Sequence, residues 1–259
     1  MISRYSFILS VLFIASLKTA LHGESRYITS AYVAPEIYYV KRQREGGAKQ
    51  DGGLYGVRLG FDRIKRNKIY WGGDILWATG TLNGHREEIK LKSQLTNTNG
   101  EMRIGYTFFY KWMPINSFTA YLGLGSYYED NIYKHPSPTQ VHLKNRFSYI
   151  PIGFLSEIFA WSNMSIGLNF KMRYLWEGKQ YVSNEPKHKH AELCYERKLQ
   201  YRVELPFKYF CVWKNHELVA NFQPFFEYQH YGYSINYPYD FLDTKYQFYG
   251  ATLQLIYLF

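Results

Sequence analysis

Along most of the chain, apolar and polar residues exchange places at every second position, in runs of about ten residues separated by breaks. Successive side chains of a β-strand point to opposite faces, so this period predicts strands with one apolar and one polar face. The runs are 27–42, 53–65, 68–82, 99–110, 117–129, 145–158, 164–176, 194–211, 217–231 and 244–259. In the clearest, Ile166, Leu168, Phe170, Met172, Tyr174 and Trp176 oppose Gly167, Asn169, Lys171 and Arg173. The breaks alternate in length. REGGAKQDGG, 83–98, 130–144, 177–193 and 232–243 are long; Arg66-Asn67, KWMPIN, 160–163 and WKNH are short. We read about ten antiparallel strands, with eight or twelve as alternatives. Pro35, Pro151, Pro206 and Pro224 fall inside runs, where a missing ladder donor marks a bulge or a shifted boundary.

The two faces differ in size as well as polarity. Large apolar and aromatic residues fill one. The other carries Gly56, Gly60, Gly105, Gly123, Gly125, Gly153, Gly167 and Gly250. Small residues there leave room for long side chains inside a closed tube. That face also carries Glu36, Arg58, Asp62, Asp74, Glu101, Arg103, Glu157, Lys171, Arg173, Arg202, Glu204, Lys208 and Glu227. Their signs nearly cancel. A ten-strand tube is narrow, and a charge inside it must be paired or hydrated. Two interiors follow: one filled by salt bridges, or a narrow water path passing small ions.

Composition sharpens this picture. Aromatics make up 20% of the 259 residues, 27 of them tyrosine, yet mean hydropathy is −0.37. After the N-terminus no apolar run approaches the roughly 18 residues of a spanning helix. A chain polar on average, aromatic-rich and alternating fits a transmembrane β-barrel, where only every second residue meets lipid. An even strand count with alternating breaks matches short periplasmic turns and longer extracellular loops. Trp71, Tyr110, Trp112, Trp161, Trp213, Tyr257 and Phe259 lie near the short turns, as an interfacial aromatic belt requires. The net charge of +10 is spread among acids, so it reads as a solvated basic surface or as attraction to lipid headgroups, and not as a nucleic-acid patch. Cys194 and Cys211 fall near opposite ends of one run, too far apart for a disulfide.

Residues 1–23, MISRYSFILSVLFIASLKTALHG, read as a cleaved signal peptide. Arg4 supplies the positive start, and Ser6 to Leu17 an apolar core too short to span. Residues 24–259 then form the barrel. Cleavage removes Arg4 and Lys18 and no acid, so the charge falls from +10 to +8.

The mature chain resembles the superfamily of bacterial outer-membrane β-barrel proteins, of Gram-negative cell-surface type. The final run, with Tyr249, Leu253, Leu255, Tyr257 and terminal Phe259, is similar to the family's C-terminal assembly signal. GEMRIGYTFFY and YIPIGF resemble strands of small members. The resemblance implies an outer-membrane location, contact with outer-membrane lipids including lipopolysaccharide, and handling by the outer-membrane insertion machinery.

Enzymatic barrels give three comparisons. Rim proteases carry an Asp-x-His, which this sequence lacks. His135-Pro136-Ser137 has the spacing of lipid A deacylases, and phospholipase barrels use a similar pair, but a serine nucleophile needs its base held on a rigid element and this one lies in a break. His188-Lys189-His190 offers two metal-type ligands, with Glu185 and Glu192 near but no completing spacing. The residues therefore predict no catalytic site, no metal and no cofactor. They leave a structural, surface-interaction or narrow-channel barrel, with a rim enzyme or a soluble periplasmic ligand-binding barrel as alternatives.

Overall fold

The computed structural model describes residues 28–65, 67–109, 117–160, 163–184, 186, 190–213 and 216–259. The signal-peptide reading of 1–23 lies outside them, as do Tyr110, Trp112, Trp161, Glu185, His188 and Lys189. The described residues form one antiparallel sheet of fourteen segments. These are β1 (Ile28–Arg44), β2 (Ala48–Ile64), β3 (Lys68–Arg86), β4 (Ile89–Phe109), β5 (Ser117–Lys134), β6 (His142–Ala160), β7 (Met164–Gly167), β8 (Asn169–Ser183), β9 (His190–Cys194), β10 (Glu196–Arg197), β11 (Gln200–Glu204), β12 (Phe207–Trp213), β13 (His216–Gly232) and β14 (Thr244–Leu258).

The fourteen segments lie along ten staves. β7 and β8 both pair with β6 and continue one another across Leu168. β9 to β12 together fill the place between that stave and β13. The sheet closes where β1 pairs with β14, from Ser30 opposite Leu258 to Arg44 opposite Thr244. Phe259 adds the last rung: its N–H donates to Thr29 O at 2.9 Å, and Thr29 N–H returns a bond at 3.3 Å. Closure pairs every stave on both sides through the apolar band, the condition for strands in hydrocarbon; at the outer end β9 pairs with β8 alone among the described residues.

Burial follows the alternation. Ile37, Ile75 and Met102 are 68%, 63% and 59% exposed on the outside, while their neighbours Glu36, Asp74 and Glu101 are 1%, 5% and 3% exposed inside. The prolines behave differently from one another. Pro35, Pro151 and Pro224 sit in continuous register without a bulge at their positions. Pro206 separates β11 from β12, beside the bulge at Glu157/Phe159.

Two aromatic rings bound the apolar band. The lower contains Trp71, Tyr257 and Phe259, as the sequence suggests, together with Tyr106, Phe108 and Tyr209. The upper was not apparent in the sequence. It runs through Tyr39, Tyr55, Trp77, Tyr128, Trp176, Tyr201, Tyr228 and Tyr249, which occupy neighbouring levels of the ladder. On β14 the rings are separated by the stretch from Tyr249 to Tyr257, about 26 Å along the strand. Tilted by roughly 40°, it covers about 20 Å, close to the band of outer-membrane barrels.

The long breaks depart from expectation. Residues 83–98 are almost wholly strand, and strand also occupies most of 177–183 and the ends of 130–144. The first long break shrinks to Glu45–Gly47, where Gly46 and Gly47 have φ of 81° and 83°, a left-handed backbone that favours glycine. Above the upper ring the polarity of the wall inverts. On β4, Lys90, Lys92, Gln94 and Thr96 face out, while Leu95 and Asn97 face in. On β6, Lys144, Arg146 and Ser148 face out, while Leu143 and Phe147 face in. That is the pattern of a barrel standing in water. The outward apolar signal used to find strands is absent there, although the backbone ladder continues. The β3–β4 hairpin rises farthest, to Glu87 and Glu88, well beyond Trp77.

Inward glycines face tyrosines across the ladder. Tyr32 lies opposite Gly60 and Tyr149 opposite Gly125. A Cβ on Gly125 would stand 2.2 Å from the Tyr149 ring, and one on Gly60 2.3 Å from Tyr32. The ring lies flat on the neighbouring strand because no side chain is there. Gly125→Val is expected to destabilise the barrel by about 1–3 kcal/mol, read as a lower midpoint in the heat-modifiable gel shift; an unchanged midpoint refutes this packing. In a background lacking Cys194 and Cys211, cysteines at Met102, Leu122 and Leu253 should resist a charged maleimide in intact membranes, while one at Thr96 should react.

Candidate functional site

All thirteen charged residues assigned to the inner face lie on the lumen side. Eleven of them join one network across the middle of the tube. Arg58 bridges β1 and β3: its Nε donates to Glu36 Oε2 at 2.8 Å and its Nη1 contacts Asp74. Arg103 takes the other Asp74 oxygen at 3.2 Å, Asp62 at 3.6 Å and Glu101 at 3.8 Å. Lys171 reaches Glu101 from the far wall at 3.0 Å. On the other side Arg202 joins Glu36 at 3.4 Å, Glu227 at 3.2 Å and Glu204 at 2.6 Å. Arg173 closes on Glu227 at 2.5 Å. Five cations thus meet six carboxylates drawn from β1, β2, β3, β4, β8, β11 and β13.

Neutral groups complete the layer. Tyr149 OH donates to Glu101 at 3.0 Å, and Thr252 Oγ1 to Glu36 at 3.3 Å. The Arg202 guanidinium lies 3.7 Å from the Phe225 ring centroid. Each strand supplies these groups through its period of two, so the sequence places them on one side; only the barrel's register decides who meets whom.

Above this layer the tube is filled by rings and aliphatic groups. Tyr38, Phe225 and Phe248 pack edge to face, with centroids 5.8–6.0 Å apart. Tyr127 stacks on Phe147 at 4.6 Å, and Tyr231, Tyr195 and Phe241 continue the mass outward. Between the charged layer and these rings remains a void of about 20 Å³, room for about one water. Farther out, Glu129 accepts from Tyr246 and Asn145, both at 2.8 Å. Arg42 donates to Gln50 at 3.2 Å and to Tyr133 at 3.1 Å.

Below the charged layer, toward the short turns, lies a larger cavity of about 340 Å³. Glu157 and Lys208 line it, and neither joins the network. The sequence marked both as lumen-facing but gave no sign that they stand apart.

The loop candidates for chemistry take structural positions. Ser137 Oγ donates to Lys92 O at 2.9 Å and accepts from Lys92 N–H at 2.8 Å, so it pins the β5–β6 loop onto β4. Of the His188-Lys189-His190 segment only His190 is described, at the start of β9. Among the described residues no group of three or more His, Cys, Asp or Glu converges on a metal-sized site. Cys194 and Cys211 are exposed thiols on β9 and β12. The β13–β14 connection is pinned by Asn236, which exchanges two 2.8 Å bonds with the Cys194 backbone. It leaves Ile235 and Tyr237 in solvent.

No protein-family model and no curated protein matches the sequence. Solved structures do. The outer membrane protease OmpT from Escherichia coli superposes with a TM-score of 0.54 at 12% identity, covering 91% of this chain and 99% of that one. The translocator domain of the autotransporter NalP from Neisseria meningitidis gives 0.48 at 8% identity over 98% and 96%. The match to the first structure shows that the fold is that of the bacterial outer-membrane β-barrels.

Arg58 is the hinge of the network. Arg58→Met leaves Glu36 and Asp74 buried with fewer partners and is expected to cost about 3–5 kcal/mol, measured by thermal unfolding of the detergent-folded barrel. Lys208→Met should change stability by no more than about 0.5 kcal/mol. Equal effects from the two would contradict the division between network and cavity.

Proposed function

We propose that this outer-membrane β-barrel is a non-conducting, non-enzymatic surface protein whose working part is the projecting outer end. The observation that carries the reading is the filled outer half of the tube, from Tyr38 and Phe248 out to Tyr195 and Phe241. A conducting path would have to cross both this mass and the ion-paired charge layer beneath it. Of the two interiors that the charge pattern allows, the geometry favours the filled one.

The outer end is built as a contact surface. Its walls are paired strands rather than loose loops, and its pinned loop presents Ile235 and Tyr237 to solvent. Rigid scaffolds with exposed apolar tips are the usual ground for partner binding.

The outer flank favours phosphate-bearing lipids, and lipopolysaccharide is the partner we infer. Above the upper aromatic ring, Lys92 lies directly opposite Lys134, six rungs beyond Tyr128, and Arg146 lies opposite Lys179, which also holds Glu192 at 2.8 Å. Like charges facing each other across strands repel; an anionic headgroup between them reverses the sign. Lys41, Lys49 and Lys245 extend the same basic collar.

In planar bilayers the folded barrel should give no stepwise conductance, and steady open-channel currents would refute the closed reading. Lipopolysaccharide added to the detergent-folded protein should raise its unfolding midpoint. The Lys92→Gln/Lys134→Gln variant should lose most of that increase; an equal increase in both proteins counts against the collar.

A further inference from the structure

We propose that the cavity at the periplasmic end of the barrel binds a small hydroxyl-rich molecule carrying both an amino group and a carboxylate, an amino sugar acid in chemical class. The cavity measures about 340 Å³, within the range of small-molecule sites. Its roof is the charged layer, through Arg58, Asp74 and Arg103. Those groups are already ion-paired within the layer and fix the inner limit of the site.

Two ionic groups on the walls stand outside the ion pairs: Glu157, and Lys208, which acts on Asp62 only from beyond ion-pair distance. Among the described residues, neither Lys208 nor Glu157 has a partner within ion-pair distance. They do not pair with each other. Lys208 stands on β12 between Ser165 and Asn221 in the ladder, and Glu157 on β6 opposite Ser117. A ligand between them satisfies both if it brings a carboxylate to the ammonium and an ammonium to the carboxylate.

Neutral polar side chains complete the wall: Ser117, Asn169, Gln223 and Gln254 line the cavity and suit ligand hydroxyls. Asn221 is 2% exposed. Its Nδ2 donates to Gln223 Oε1 at 3.0 Å and to Gln254 Oε1 at 2.8 Å. Both donor hydrogens are thereby used and the amide is fixed in orientation, which leaves the buried Oδ1 without a donor. Asn221 thus holds Gln223 and Gln254 in place at the cavity wall, while its own Oδ1 is closed off from the cavity.

The charge around the cavity sets the net charge of the occupant. Arg58, Arg103, Lys171 and Lys208 face Asp62, Asp74, Glu157 and Glu204, so the signs balance. A phosphate or a divalent cation would upset that balance; a zwitterion preserves it. Tyr32 and Tyr121 add ring surface to the lining, suited to the C–H faces of a sugar.

The test uses the detergent-folded full barrel and three probes: muramic acid, which carries both charges, glucosamine and glucuronic acid. Binding is read by saturation-transfer NMR and titration. Muramic acid should bind roughly tenfold or more tightly than either of the others. Lys208→Met should weaken muramic acid by a similar factor and leave glucosamine unchanged; Glu157→Gln should weaken muramic acid and leave glucuronic acid unchanged. Equal affinity for the three sugars, no binding of muramic acid, or muramic acid affinity unchanged in both variants overturns the proposal. The comparison on the wild-type barrel decides the matter even where a variant fails to fold. Its outcome is independent of bilayer conductance and of lipopolysaccharide binding.

Discussion

Charges that enter a narrow tube must neutralise one another there, and the rest of this barrel is arranged around that constraint. Water is too scarce inside to hydrate five cations and six carboxylates separately. The register of the staves therefore has to bring Glu36 to Arg58, Asp74 to Arg103 and Glu227 to Arg173 at once. A slip of one residue on any stave would turn its charges toward lipid. The outward apolar face and the inward ionic layer thus specify the same register from opposite sides of the wall.

Packing at the ladder obeys a similar logic. Large inward rings need flat ground beside them, and glycines on the neighbouring stave supply it at Tyr32/Gly60 and Tyr149/Gly125. Tyr149 links the two systems, since its ring rests on Gly125 while its hydroxyl bonds Glu101. Strand packing and charge placement are therefore not separable at this position.

Much of this was legible in the sequence, for a definite reason. Where one face meets hydrocarbon, alternation is forced, so the ten staves and the inward position of Glu36 or Arg173 could be read directly. Above the upper ring both solvent and interior tolerate polar groups. The pattern Lys90, Lys92, Gln94 outside and Ser93, Leu95, Asn97 inside then carries little contrast, and residues 83–98 looked like a loop. The aromatic filling was hidden for the same cause: Tyr127 and Phe147 sit on the face that lower down is polar. Long-range pairing was beyond reach. Nothing local shows that Lys171 meets Glu101 while Lys208 stays beyond ion-pair distance of the described carboxylates. The proposed site at the turn end depends on that distinction.

The staves do not end at one height. The β3–β4 hairpin continues about 33 Å along the strand past Trp77, whereas β13 and β14 part at Tyr231 and Thr244, only a few residues beyond Tyr228 and Tyr249. The crown is therefore a parapet on one flank and a sill on the other, and Ile235 and Tyr237 belong to the sill. A macromolecule descending from above meets the parapet first. One arriving sideways, over the low flank, has the shorter route.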